Sequence, residues 1–143
     1  KMFKNFISLR LFQVYGLNDK KFRLVPTVIN NKKIFLTDCM QVTDMIYYKD
    51  LNFLIEKIIN SKKIFKGTFN AGSGRPIILK NVVKKIIKIK KNKTIVKYKK
   101  GLNKISNYSY ADEQELRTKL KWKPKYDLEM GLSELINEKH RYN

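Results

Sequence analysis

Phe6-Ile7-Ser8-Leu9-Arg10-Leu11-Phe12 is short and mostly apolar, with little alternation of apolar and polar residues. A strand with one wet face alternates strictly, whereas a strand covered on both faces has no reason to. This run therefore predicts a strand of a parallel sheet flanked by helices. Moving outward, Gly16-Leu17-Asn18-Asp19 supplies turn residues, and Pro26 suits the first turn of a short helix through Val28 and Ile29. Lys33-Ile34-Phe35-Leu36-Thr37 reads as a second short strand that breaks at Asp38. From Asp50 onward, Leu51, Leu54, Ile55, Ile58 and Ile59 recur at spacings of three and four, the signature of one helical face.

The same alternation continues to the end of the chain. Gly67-Thr68-Phe69-Asn70 gives a strand and Ala71-Gly72-Ser73-Gly74 a tight turn. Leu79, Val82, Val83 and Ile86 form a helical stripe backed by a solvated face of Lys80, Lys84, Lys85, Lys88 and Lys91. Thr94 to Tyr98 reads as a strand and Lys99 to Asn107 as a polar connection. A helix capped at Asp112 runs through Leu116 and Leu120 until Pro124 stops it, and a last helix capped at Asp127 carries Leu128, Leu132, Leu135 and Ile136. Short strands alternating with amphipathic helices, without repeat or linker, place residues 1–143 in a single α/β unit.

Composition narrows the function classes. Hydrophobic residues make up 43% of the 143 and fall in periodic runs, as in a folding chain. No stretch approaches the roughly 20 apolar residues of a membrane span, and the basic start at residues 1–4 leads into a run already broken at Arg10, so a cytoplasmic location is expected. The single Cys39 forms no internal disulfide and suits a small apolar packing role. His140 has no second histidine with which to hold a metal. The net charge of +20 raises nucleic acid as a partner, but only five of the 32 basic residues are Arg, the side chain suited to bidentate phosphate contacts, and the lysines are scattered. Nucleic acid is therefore not the expected partner.

Four ordered stretches carry a resemblance. Leu9-Arg10-Leu11-Phe12-Gln13-Val14-Tyr15-Gly16 is similar to an "LR-F-N-YGP" segment. Arg23-Leu24-Val25-Pro26-Thr27-Val28-Ile29 resembles a short helix that closes over a nucleotide diphosphate. Gln41-Val42-Thr43-Asp44-Met45-Ile46-Tyr47-Tyr48-Lys49-Asp50-Leu51 resembles "RDFIYVDDL" running into a helix. Thr68 to Gly74, with Tyr110-Ala111-Asp112 and Leu120-Lys121-Trp122-Lys123-Pro124 through Leu132, is similar to an "AD…LGWKP…SLEEGL" close. Together they resemble the NAD-dependent epimerase/dehydratase family, the extended short-chain dehydrogenase/reductases, over its C-terminal portion.

The resemblance implies the C-terminal part of a Rossmann-like fold that grips a nucleotide-diphosphate sugar. It makes Gln13, Arg23, Pro26, Thr27, Thr43 and Asp44 the candidate substrate-binding residues. Gln13 stands where the family has Asn, and serves as a ligand amide or as a solvated loop amide. Pro26 and Thr27 begin either a helix whose N–H groups attract a diphosphate, with Lys20, Lys21 and Arg23 nearby, or an ordinary surface helix. Thr43 replaces a family Arg. Asp44 orders the loop leading to Tyr47, a structural or a catalytic role. Lys99 or Lys100 stands in for a second missing Arg, while Trp122 and Pro124 are packing and helix-stop residues.

Family chemistry also needs a Gly-x-x-Gly-x-x-Gly turn for the dinucleotide and a Tyr-x-x-x-Lys pair for proton transfer. Neither occurs in the 143 residues; Tyr47 is followed four places on by Leu51 and Tyr98 by Leu102. The reading is a fragment of an NAD(P)-dependent nucleotide-sugar epimerase, dehydratase or reductase, with no catalytic or metal residues of its own. NAD or NADP belongs to the full-length protein and no cofactor is expected on this chain. The expected partners are the missing N-terminal half and a second copy in a homodimer. The alternative is a non-catalytic binding or partner protein derived from the same fold.

Overall fold

The structure, a computed structural model, describes residues 6–91, 93–99 and 108–142, and side chains through residue 138. The basic start, Lys100 with the connection to Asn107, and the side chain of His140 lie outside the described residues. Strand β1 (Ile7–Leu11) pairs in parallel with β5 (Gly67–Ala71), Ile7 opposite Gly67 and Leu11 opposite Ala71. Strand β2 (Gln13–Tyr15) pairs in parallel with β4 (Val42–Tyr47), and β4 pairs antiparallel with β6 (Pro76–Ile78). Strand β3 (Lys33–Leu36) pairs in parallel with β7 (Ile95–Tyr98). The helices are α1 (Leu24–Asn30), α2 (Tyr48–Ile59), α3 (Leu79–Lys90), α4 (Gln114–Leu120) and α5 (Leu128–Tyr142).

Two apolar clusters hold these pieces. In one, Val28 of α1, Val82, Val83 and Ile86 of α3, and Leu132, Leu135 and Ile136 of α5 meet Tyr15 and Tyr47. In the other, Phe69 and Ala71 of β5 pack with Ile46, Leu54 of α2, Leu116 and Leu120 of α4, and Trp122. The stripes read on α3 and α5 supply much of this core, because burial of an amphipathic face supplies most of a helix's stability; on α2 only Leu54 of the expected stripe is buried, while Ile55 is 39% and Ile59 73% exposed. Cys39 is buried, as a packing role requires. Among the described residues no helix is long and apolar enough to cross a membrane.

Several elements differ from expectation. Gln13 stands in β2 and not in a loop, and β4 and β6 carry no strand signal that period-two alternation could reveal. In β4 five of six residues are buried, two of them polar, so apolar and polar positions do not alternate. Strand β1 was expected to be covered on both faces, but Leu11 is 53% exposed, Phe6 just before the strand is 58% exposed, and β5 is its one strand partner among the described residues. Helix α4 starts at Gln114, whose N–H donates to Asp112 Oδ1 at 3.0 Å, and ends at Leu120 before Pro124 is reached. The stop is the left-handed Lys121, after which the N–H of Trp122 donates to the carbonyl of Leu116. Asp127 does cap α5, accepting from the N–H of Met130 at 2.8 Å.

The aromatic cluster gives the fold a pH dependence. Tyr47 lies with ring centroids 5.3 Å from Tyr15 and 4.9 Å from both Tyr48 and Tyr126. Burial, reinforced by neighbouring acidic groups, pushes the phenols of Tyr15 and Tyr47 well above their ordinary value. An unfolded tyrosine loses its proton near about pH 10, while the folded ones keep theirs. Stability is therefore full below that pH and falls as pH rises beyond it. Urea midpoints followed by circular dichroism should decline steeply between about pH 10 and 11.5. The Tyr15→Phe/Tyr47→Phe double variant should flatten that decline; an unchanged slope would exclude these phenols as its source.

Candidate functional site

At the ends of β1 and β5, beside the start of β4, the chain folds around a cleft of ≈ 670 Å³ whose wall includes Arg10, Gln13, Arg23, Gln41, Thr43 and Asn70. Parallel pairing sets Arg10 opposite Asn70. Three residues later Gln13 enters β2, where its register partner is Met45, so the adjacent Thr43 and Gln41 fall along the same opening. Arg23, at the N-terminal boundary of α1, donates through Nη2 to Gln13 Oε1 at 2.6 Å and pairs through Nη1 with Asp19 at 3.5 Å. Its guanidinium is thereby aimed before any ligand arrives. Arg10 is exposed, and its side chain has no hydrogen bond or ion pair among the described residues.

Two guanidinium groups and no carboxylate stand in the cleft wall. Such a wall favours an anion, and arginine forks match phosphate oxygens two at a time. A second hollow of ≈ 260 Å³ shares Gln13, Arg23 and Leu79 with the cleft and continues past Asp19 and the exposed ring of Phe22. The two hollows adjoin at these shared residues.

Of the six residues predicted from sequence, Gln13, Arg23 and Thr43 come together here. Pro26 is buried in the helix and lines neither hollow. Thr27 spends its backbone N–H on the carbonyl of Arg23 at 3.0 Å and its hydroxyl on that of Lys21 at 3.1 Å. Since Pro26 has no N–H, the donors foreseen at these two positions are not free. Lys20, Lys21 and Lys99 do not line the cleft either.

Asp44 lies behind the cleft, fully buried. Its Oδ1 accepts from the N–H of Ser73 at 2.7 Å and from the Ser73 hydroxyl. Its Oδ2 accepts from the N–H groups of Gly74 at 2.8 Å and Ala111 at 3.0 Å. One carboxylate thus pins the β5–β6 turn and the segment before α4 to β4. The expectation that Asp44 orders the loop toward Tyr47 gives way to this connection. The turn needs glycine twice over: Gly74 has φ +67°, and a Cβ on Gly72 would press on Asp44 itself.

Arg10, Gln41 and Asn70 carried no role in the sequence reading. Arg10 and Asn70 are 60 positions apart, and only strand pairing joins them. Gln41 has a further peculiarity: its Oε1 is shut from solvent with no hydrogen-bond partner among the described residues. No cluster of His, Cys, Asp and Glu able to hold a metal occurs among the described residues.

No family model matches the chain. It is 31% identical over 147 residues to a CDP-abequose synthase of Salmonella muenchen, covering 94% of this chain and 48% of that protein. Its likeness in sequence and fold is to the extended short-chain dehydrogenase/reductases, over their C-terminal portion. It spans about half the length of the curated relatives it matches. The fold is that of a dTDP-glucose 4,6-dehydratase of Bacillus anthracis solved with NAD (TM-score 0.81, 23% identity, covering 94% of this chain and 44% of that one). It is equally that of a UDP-glucose 4-epimerase of Thermotoga maritima solved with UDP-glucose (TM-score 0.81, 23% identity, covering 95% and 46%).

Proposed function

We propose that this extended short-chain dehydrogenase/reductase chain supplies the nucleotide-diphosphate-sugar site of an NAD(P)-dependent epimerase, dehydratase or reductase. The observation that carries the reading is the cleft with Arg10 and Arg23 in its wall and no carboxylate among its lining residues, Asp19, the ion-pair partner of Arg23, lying in the adjoining hollow. Arg23 grips the diphosphate, Gln13 holds Arg23 in place, and Arg10 provides the charge that Thr43 cannot. Asp44 acts through the backbone it fixes and does not reach the ligand. Pro26 and Thr27 serve by setting the course of α1.

This chain's own residues do not fit a dinucleotide. They contain no Gly-x-x-Gly-x-x-Gly turn to approach a pyrophosphate and no Tyr-x-x-x-Lys pair to move a proton. In the proposal both belong to an N-terminal dinucleotide-binding part of the full-length protein, which also covers the open edge of β1 and the exposed Leu11. The bound NAD or NADP supplies hydride transfer there. Residues 1–143 form the substrate-binding part, and the full-length enzyme works in the cytoplasm, where a homodimer is the expected assembly.

Isothermal titration of the chain with UDP-glucose and CDP-glucose at low salt tests the reading. Saturable binding is expected, about tenfold weaker for Arg23→Ala, since a charge-assisted hydrogen bond contributes about 1.5–3 kcal/mol and partial solvation offsets some of it. Arg23→Lys should fall between, keeping the charge without the fork. No binding by the wild-type chain to either nucleotide sugar, or binding indifferent to Arg23→Ala, would remove the proposal.

A further inference from the structure

We propose that Phe22 is the stacking platform for the nucleobase, so that the base lies in the smaller hollow beside Arg23 and the sugar lies toward Arg10 and Asn70. This rests on the nucleotide-sugar reading and deepens it, because it gives the ligand a direction along the cleft.

The smaller hollow, ≈ 260 Å³, meets the cleft at Gln13, Arg23 and Leu79, and most of its remaining wall is apolar, with Val14, Leu24, Val25 and Met45. Its polar side chains are largely engaged with one another. Arg23 donates to Gln13, and Asp19 takes the other side of the guanidinium and the N–H of Lys20. Such a wall has few groups for the hydroxyls of a hexose, and it suits a flat ring with weakly polar faces. Phe22 lines this hollow and is 80% exposed, in neither apolar cluster. A single exposed phenyl is ordinary on a protein surface, so exposure alone assigns nothing. The mounting of the ring is what sets it apart. The N–H of Arg23 donates to the carbonyl of Lys20 at 2.9 Å, and the hydroxyl of Thr27 to that of Lys21 at 3.1 Å. The backbone on both sides of Phe22 is therefore tied down while the ring stays open, with the Lys20 ammonium over it at 5.8 Å from the centroid. An open aromatic face next to the residue that grips the diphosphate is the arrangement on which a base stacks, whichever base it is.

Isothermal titration of the full chain at low salt with UDP-glucose, UDP and inorganic pyrophosphate tests this, using Phe22→Ala, Phe22→Leu and Arg23→Ala. Phe22→Ala should weaken UDP-glucose and UDP alike, about tenfold, and pyrophosphate less than twofold. It should leave the thermal midpoint of the ligand-free chain unchanged. Phe22→Leu, which keeps apolar bulk and loses the flat face, should fall nearer to Phe22→Ala than to wild type. Arg23→Ala should weaken all three ligands. If Phe22→Ala left UDP unchanged, or weakened pyrophosphate as much as UDP, the role of Phe22 would be overturned while the cleft reading stood on Arg23. A loss for UDP-glucose without one for UDP would overturn it as well, since the ring would then face the sugar. So would a much reduced midpoint for Phe22→Ala, which would reveal a packing residue. If the wild-type chain bound none of the three ligands, the inference and the nucleotide-sugar reading would fall together.

Discussion

Asp44→Ala should lower the thermal midpoint of the chain by roughly 10–15 °C, as expected for a loss of about 3–5 kcal/mol in a domain of this size. The substitution strands three backbone N–H groups and one hydroxyl in a place water does not reach, since Asp44 is fully buried and accepts from Ser73, Gly74 and Ala111. Each stranded donor costs about 1–3 kcal/mol, and they share one acceptor, so the costs overlap and do not simply add. Asp44→Asn keeps the volume and one acceptor oxygen but turns an NH₂ toward N–H donors, and should recover about half the loss. Thermal unfolding by circular dichroism checks both. A shift of only a few degrees for Asp44→Ala would mean the turn and the Ala111 segment hold without it. Nucleotide-sugar binding should fail along with folding in this variant, unlike in Arg23→Ala, which leaves the fold intact.

Gly131→Ala should be destabilising by about 2–3 kcal/mol, although the substitution favours helix by about 1 kcal/mol on intrinsic propensity alone. Gly131 lies in the first turn of α5, its N–H donating to the carbonyl of Asp127 at 3.1 Å. A Cβ there would run into the hydroxyl of Tyr15 and sit 3.0 Å from Cγ of Tyr47 and 3.1 Å from Cζ of Tyr15. Both rings are buried in the larger apolar cluster and cannot swing aside. Urea unfolding gives the sign directly, and Tyr15→Phe placed beneath Gly131→Ala should recover part of the loss by removing the clashing oxygen. A stabilised Gly131→Ala would show that the helix can lift away from the tyrosines at little cost.

The helical stripes were legible because burial repeats at the helical period: Leu54, Val82, Val83, Ile86, Leu116, Leu132 and Leu135 are all fully or nearly fully buried. The ordered motifs likewise carry the family resemblance in the residues alone, and Gln13 and Arg23 fall within them as candidates. What composition and spacing could not supply was the path of β4. A strand buried on both faces and carrying Thr43 and Asp44 has no period to read, so its register against β2 and β6 was invisible. The helix stop at Lys121 escaped for a different reason, since a left-handed lysine leaves no mark of the kind that glycine leaves.

The sequence by itself determined the α/β class, most of the amphipathic faces, the family resemblance and the absence from these 143 residues of a Gly-x-x-Gly-x-x-Gly turn and a Tyr-x-x-x-Lys pair, because each of these is written in local spacing. Only the tertiary structure decided which polar residues share a cleft, that Pro26 and Thr27 stand apart from it, that Asp44 is a structural acceptor, and that Gln41 has an oxygen without a donor. The physical reason is that strand pairing and burial act between residues far apart in the chain. Arg10 meets Asn70, and Asp44 meets Ala111, only when the sheet closes.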